Sequence, residues 1–233
     1  LHTNSWGNDG TTAYNSHCNA IDLFQWNFED NLIFFAETNT STLRNPENAK
    51  NLVAVGNGQN GNSANSKCGG GVGPTADGRQ KPDLFTPGCS LISASTSNCG
   101  TTSLTGTSMA CPGATGAAAL VRQYFMEGYY PTGVATPGNA LTPTNALMKA
   151  VLLNTCRDMT GVGGYPNNTE GVGPGRARRL ALLQRRQRQA LGVRPAPQRR
   201  RHHRRRASVP GAGAELFASA RGHAVLHGLR RDG

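Results

Sequence analysis

No apolar stretch in this sequence is long enough to cross a bilayer as a helix. It also has no basic start followed by an apolar segment and a small-residue cleavage site, and the first residue is Leu1 rather than Met. The expectation is an internal fragment whose targeting is encoded upstream. No C-x-x-C pair occurs among the six cysteines, which argues against a zinc site. The net charge of +11 misleads. Residues 1–171 hold 8 Lys and Arg against 11 Asp and Glu, so they carry no basic excess. Residues 172–233 hold 16 against 2. Inferring a nucleic-acid or anionic partner from charge therefore applies to that tail alone.

What is present fits a chain of 233 residues with a real core, as one large domain or two small ones. All six cysteines (Cys18, Cys68, Cys89, Cys99, Cys111 and Cys156) lie before residue 172. Their even number in an Asn/Gly/Ser/Thr-rich segment fits an oxidising, extracellular or extracytoplasmic compartment. Cys89 and Cys99 bracket a short Ser/Asn loop and are the expected disulfide, whereas Cys111 reads as a buried thiol.

Leu1 to Gly7 reads as a strand end entering a loop, and Ala13 to Phe28 as a surface helix. The apolar runs Asn31 to Ala36 and Asn51 to Gly56 have the length and bounds of strands buried on both faces of a parallel sheet. Gly56 to Gly78 lacks periodicity and reads as surface loop. Lys81 to Gly88 and Leu91 to Ala94 read as short strands joined at a Pro-Gly turn. Ala114 to Tyr124 is a small-residue helix with the composition of a buried one, and Thr142 to Asn154 is a helix with Pro143 in its first turn. Strands alternating with helices predict a layered α/β domain.

The chemistry concentrates in Thr105-Gly106-Thr107-Ser108-Met109-Ala110-Cys111-Pro112. A serine hydroxyl becomes a nucleophile only when a base takes its proton and donors stabilise the oxyanion. A serine at a helix N-terminus has free N–H groups and a favourable dipole beside it. Gly106 permits close approach of a substrate backbone, and the small residues that follow let the helix sit deep. The hydrolase elbow Gly-x-Ser-x-Gly is disfavoured because Ala110 holds the last position. Cys68-Gly69-Gly70-Gly71-Val72-Gly73 lacks the Lys-Ser/Thr and the helix of a phosphate loop. Asn39-Thr40-Ser41 and Asn167-Asn168-Thr169 match glycosylation sequons, a frequent chance pattern.

The serine run resembles the nucleophile motif of the subtilases, the subtilisin-like serine proteases. Further matches follow in the family's order: Asn4-Ser5-Trp6-Gly7, Leu32 to Asn39, Ala49 to Gly56, Lys81 to Gly88 and the helix around Ala146 to Thr155. The resemblance covers residues 1–171. It implies a three-layer α/β/α fold with a mainly parallel sheet, N-terminally truncated here, and a serine endopeptidase acting on protein or peptide substrates. It implies Ser108 as nucleophile, Asn39 as oxyanion-hole donor, and Ser5, Trp6, Gly7, Gly106 and Thr107 as substrate-binding residues. It implies no organic cofactor. Calcium often supports the family, but no ligand set is identifiable here.

Two departures matter. Ala36-Glu37-Thr38-Asn39 stands where the family usually has Ala-Ala-Gly-Asn, so Thr38 puts a β-branched side chain close to the substrate pocket. The alternative role of Asn39 is that of a turn residue. More seriously, neither Asp-x-Gly nor His-Gly-Thr, the family's acid and base motifs, precedes the serine. His2, His17, Asp9 and Asp77 read as solvated surface residues, and His223 and His227 lie in the tail. The expectation is a portion of a protease that is inactive alone, or a catalytically dead relative.

From Val172 the character changes to Arg clusters among Ala, Gly and Pro, the composition of a disordered segment. The family commonly continues with Trp-Gly-Arg-Val where this chain has Val172-Gly173-Pro174-Gly175. The codons TGG-GGC-CGG-GTN, displaced by one preceding G, encode Val-Gly-Pro-Gly. Residues 172–233 are therefore read as a frame-shifted read-through, with a basic nucleic-acid-binding arm as the alternative.

Overall fold

The computed structural model of the protein describes residues 1–8 and 10–175. Asp9 and the body of the basic tail, with the expectations attached to them, lie outside the described residues. In chain order the elements are β1 (His2–Asn4), α1 (Ser16–Asn27), β2 (Ile33–Ala36), β3 (Val53–Gly58), β4 (Lys67–Gly69), β5 (Leu84–Pro87), β6 (Leu91–Ala94), β7 (Thr101–Leu104), α2 (Thr107–Met126) and α3 (Asn145–Asn154).

β1, β2, β3 and β5 lie side by side in that order and all run parallel. β4 joins antiparallel to the last residues of β3, at Asn57 and Gly58, just past the point where β2 leaves off. Both faces of β2 and β3 are covered, which is why their sequences are continuous apolar runs rather than alternating ones. On one face Phe34, Ala36, Val53 and Val55 pack with Ala110, Ala114, Ala118 and Val121 of α2 and Met148 and Leu152 of α3. On the other, Ile33, Phe35 and Ala54 pack with Cys18 and, at its edge, Ile21 and Phe24 of α1. The result is the three-layer α/β/α arrangement with a mainly parallel sheet.

Local chemistry sets the helix ends. Asn15 caps α1 by accepting from the N–H groups of His17 and Cys18 at 3.0 and 3.5 Å. Thr144 caps α3 by accepting from Leu147 N–H at 3.2 Å. The helix therefore starts after Pro143, and that proline is outside its first turn, contrary to expectation.

The Gly56–Gly78 stretch is more ordered than its composition suggests, because the end of β3 and all of β4 fall within it. β6 also has a partner that the sequence reading missed. β7 pairs with it antiparallel, from Leu91 opposite Leu104 to Ala94 opposite Thr101. Thr105 Oγ1 accepts from Ser90 N–H at 2.8 Å and closes the base of this hairpin, which leads directly into α2.

The disulfide joins Cys68 to Cys89, with Cα atoms 6.3 Å apart, and not Cys89 to Cys99. Cys89 follows β5 and Cys68 lies in β4; both strands pair with β3, which brings the two together. Cys99 is free and exposed at the hairpin tip. Replacing Cys68 and Cys89 by serine should lower stability in chemical denaturation by about 2–4 kcal/mol. Reductant should lower the midpoint of the unmutated protein similarly.

Candidate active site

Ser108 is the second residue of α2, and Gly106 caps that helix. The first N–H groups of any helix lack partners within it. Here Met109 and Ala110 turn theirs back to the Gly106 carbonyl, at 3.1 and 3.3 Å. Thr107 N–H goes to Asn39 Oδ1 at 3.0 Å. The N–H of Ser108 itself has no protein acceptor among the described residues. It stays available beside its own hydroxyl, at the positive end of a 20-residue helix.

Asn39 stands three residues past β2, and the parallel sheet aims that strand end at the start of α2. Its Oδ1 accepts from Thr107 N–H and lies 3.1 Å from the Thr107 hydroxyl oxygen. Because Thr107 N–H can only donate, the oxygen must face it and the NH2 must face away. Asn39 is exposed, and its NH2 has no acceptor among the described residues. The Thr107 hydroxyl is also within hydrogen-bond reach of the Glu37 carbonyl. Thr107 is fully buried, so it fastens the end of β2 to the start of α2. Asn39 thus does more than shape a turn.

Ser5 donates its hydroxyl to the Ser108 carbonyl at 3.2 Å. That carbonyl is free for a reason visible in the sequence. Its helical partner would be the N–H of residue 112, and Pro112 has none. From Ser5 the chain passes Trp6, whose exposed indole packs edge-on against Phe35 with centroids 5.1 Å apart. It then passes Gly7. A Cβ there would lie 3.3 Å from the Asn45 carbonyl and 3.7 Å from Glu47 Oε2. Asn8 N–H bonds the Asn45 carbonyl at 2.7 Å. Ser5, Gly106, Thr107, Ser108 and Asn39 converge; Trp6 and Gly7 lie on the segment leading away from them.

The floor beneath Asn39 carries acids that the sequence reading passed over. Glu47 is buried, and its Oε1 accepts from Thr38 N–H at 3.2 Å and Arg44 N–H at 2.7 Å, closing the turn after Asn39. Thr38 faces this turn, with its carbonyl accepting from Gly71 N–H at 3.0 Å. Glu37 is also fully buried, and neither carboxyl oxygen has a hydrogen-bond partner among the described residues. Burial pushes its carboxyl well above the usual glutamate range, and Glu47 adds to this, against the pull of Lys81. The one sequence clue was an acid at the end of an apolar run.

Gly88 supports the serine turn from below. Its carbonyl accepts from Gly106 N–H at 3.0 Å. A Cβ on Gly88 would sit 2.4 Å from Asn57 Oδ1 and 2.6 Å from the Gly106 carbonyl.

No histidine or carboxylate hydrogen-bonds the Ser108 hydroxyl among the described residues. Thr3 of β1 points toward α2 and meets Cys111 Sγ at 3.5 Å, which puts its neighbour His2 on the other face of the sheet. His2 and His17 line a hollow of about 420 Å³ there with Trp6, Phe24 and Phe35. Asp77 is paired with Arg79 at 2.9 Å. Among the described residues no three His, Cys, Asp or Glu side chains converge to hold a metal ion.

The model of the Subtilase family, peptidase S8, matches residues 1–175. Two Dictyostelium discoideum proteins described as serine protease/ABC transporter B family proteins are similar to parts of the chain. TagD is 40% identical over 120 residues, which is 45% of this chain and 6% of the relative. TagB is 43% identical over 104 residues, 38% of this chain and again 6% of the relative. The chain therefore matches only a small part of the length of these relatives. Among solved structures, the PatG macrocyclase in complex with peptide aligns with a TM-score of 0.62 at 18% identity, covering 78% of this chain and 52% of that one. The prenylagaramide maturation protease PagA aligns at 0.52 with 22% identity, covering 71% and 54%. At these identities the likeness is one of fold.

Proposed function

The chain belongs to the subtilase family, and we propose that it forms the nucleophile-bearing portion of a serine endopeptidase. The observation that carries this reading is the pair of unpartnered donors at the start of α2, Ser108 N–H and the Asn39 NH2, with Asn39 held in orientation by Thr107. Ser108 Oγ attacks the carbonyl carbon of the scissile peptide and forms a C–O bond. The carbonyl oxygen takes the negative charge and receives both donors. The proton of Ser108 passes to a base and then to the leaving amine as the C–N bond breaks.

That base and the acid orienting it are supplied from outside these 233 residues, which makes the chain inactive alone. Ser5, Trp6 and Gly7 border the extended substrate, and Gly106 leaves room for its backbone. The substrate is a protein or peptide. The disulfide supports an extracytoplasmic location, and no helix of the described residues is long and apolar enough to cross a membrane. The segment from residue 172 is read as a frame-shifted read-through, but the family match runs on to residue 175, and Val172 N–H, the Gly173 carbonyl and Gly175 N–H bond Asp83 and Phe85, so the fold itself extends at least to residue 175.

A fluorophosphonate probe tests the function. The 233-residue chain should label at background. Protein expressed from the complete coding region should label at Ser108, and Asn39→Ala should slow that enzyme's kcat by about 10²–10³-fold. A complete protein whose Ser108 stays unlabelled would identify a catalytically silent domain instead.

A further inference from the structure

We propose that Glu37 is a positioning residue: in its protonated form it lets the end of β2 hold Asn39 against Thr107, and its ionisation loosens that hold. The proposal rests on the reading of Asn39 and Ser108 given above, and deepens it by assigning a control over the donor geometry.

The geometry begins with the carboxyl. It is fully buried, and Oε1 and Oε2 both lack hydrogen-bond partners among the described residues. A neutral acid tolerates this at modest cost, whereas a bare carboxylate does not. The charged groups facing it come from three elements. Glu47, on the turn after Asn39, is a like charge. Lys67 of β4 is half-buried and attracts it. Lys81, on the segment entering β5, also attracts it, but its ammonium is held at 2.6 Å by Asp83, which repels Glu37. Across from the carboxyl, a Cβ on Gly70 would lie 3.7 Å from Oε2 and 3.1 Å from the Thr107 methyl. Gly70 itself has φ near +105°, a conformation that favours glycine. The acid and the Thr107 methyl thus both border Gly70.

The backbone of Glu37 transmits any movement. Its N–H is bonded to the Val55 carbonyl at 3.1 Å, and its carbonyl takes the Thr107 hydroxyl. Thr38, next in the chain, is held by Glu47. Hydrating an ionised Glu37 requires this strand end to shift. Any such shift pulls on Thr107 Oγ1, and through it on Asn39 Oδ1. The orientation of the Asn39 NH2 then loses its fixed reference.

The sign follows from a folded-state carboxyl held above its unfolded range. The stabilisation is full below the ordinary glutamate range and is lost as the pH climbs through the raised value. The serine–asparagine site is therefore held best while Glu37 is protonated, and loosens as pH rises through that raised value.

Hydrogen exchange by mass spectrometry on the full chain tests this, following the peptide that contains the Thr107 amide and correcting for intrinsic exchange. Protection in the unmutated protein should fall by up to about tenfold per pH unit as pH rises from the ordinary glutamate range to the raised value, and level off above it. Glu37→Gln, neutral at every pH, should abolish that fall. Glu47→Gln should move its midpoint to lower pH by removing the like charge. An unchanged pH dependence in Glu37→Gln, or none in the unmutated protein, would overturn the proposal. If Glu37→Gln does not fold, an unmoved midpoint in Glu47→Gln does so. Exchange at Thr107 needs no turnover, so failure of fluorophosphonate labelling would remove the enzymatic reading while leaving this result intact.

Discussion

Asp83→Asn should lower stability by about 3–5 kcal/mol, because it strands the buried Lys81 cation and removes the carboxylate partner of Lys149. Asp83 Oδ2 takes Lys81 Nζ at 2.6 Å and Ala54 N–H at 2.8 Å, while Oδ1 takes Lys149 Nζ at 3.2 Å. The Lys81 side chain is only 2% exposed, so it has no route to water when its partner is neutralised. Burial alone would push the Asp83 carboxyl up, yet Lys81, Lys149 and the Ala54 N–H together pull it below the usual aspartate range. Its contribution is thus present at neutral pH and lost as pH falls through the depressed value. Urea denaturation should give the full loss at neutral pH and a smaller difference between variant and parent in acid. The cluster ties β3, the segment entering β5 and α3 together, so the transition should stay cooperative while its midpoint drops. A loss under 1 kcal/mol would mean that water reaches Lys81 after all.

Gly88→Ala should destabilise by about 1–3 kcal/mol and should also displace the serine turn. The added methyl would meet Asn57 Oδ1 at 2.4 Å, the Gly106 carbonyl at 2.6 Å and Ala110 Cβ at 2.9 Å. None of these is the far end of a flexible chain. Two belong to the serine turn and its helix, and Asn57 is anchored in β3. The helix start must move, or β5 must part from it. Either movement shifts Ser108 relative to Asn39. In protein from the complete coding region, labelling at Ser108 should fall more than the loss of stability alone accounts for. Thermal denaturation and labelling rate, measured side by side, separate the two effects.

How far these features could be read beforehand depends on whether their cause is local. β2, β3, α1 and α3 were legible because each carries its own signal: a doubly buried apolar run or a helical spacing. Ser108 was legible because its surroundings in the chain already form a helix start. β4 and β7 were not, since Lys-Cys-Gly and Thr-Thr-Ser-Leu have no period and become strands only through the partners that β3 and β6 offer. The disulfide went to a cysteine 21 positions from its partner because two strands meet on β3. Glu37 and Glu47 were missed for a related reason. A lone acid at a strand end reads as solvent-facing until a glycine loop and a second acid are folded over it. Asn39 was placed by resemblance, but its orientation came only from the donor rule at Thr107.

Pro112 has a consequence that reaches beyond its own helix. By withholding one N–H it turns the carbonyl of Ser108 from an internal strut into an external anchor point, and Ser5 occupies that point. Ser108 therefore also fixes the position of the segment that begins at Ser5. A displacement of the start of α2 would carry Ser5 with it, so a substitution that moves one should move the other.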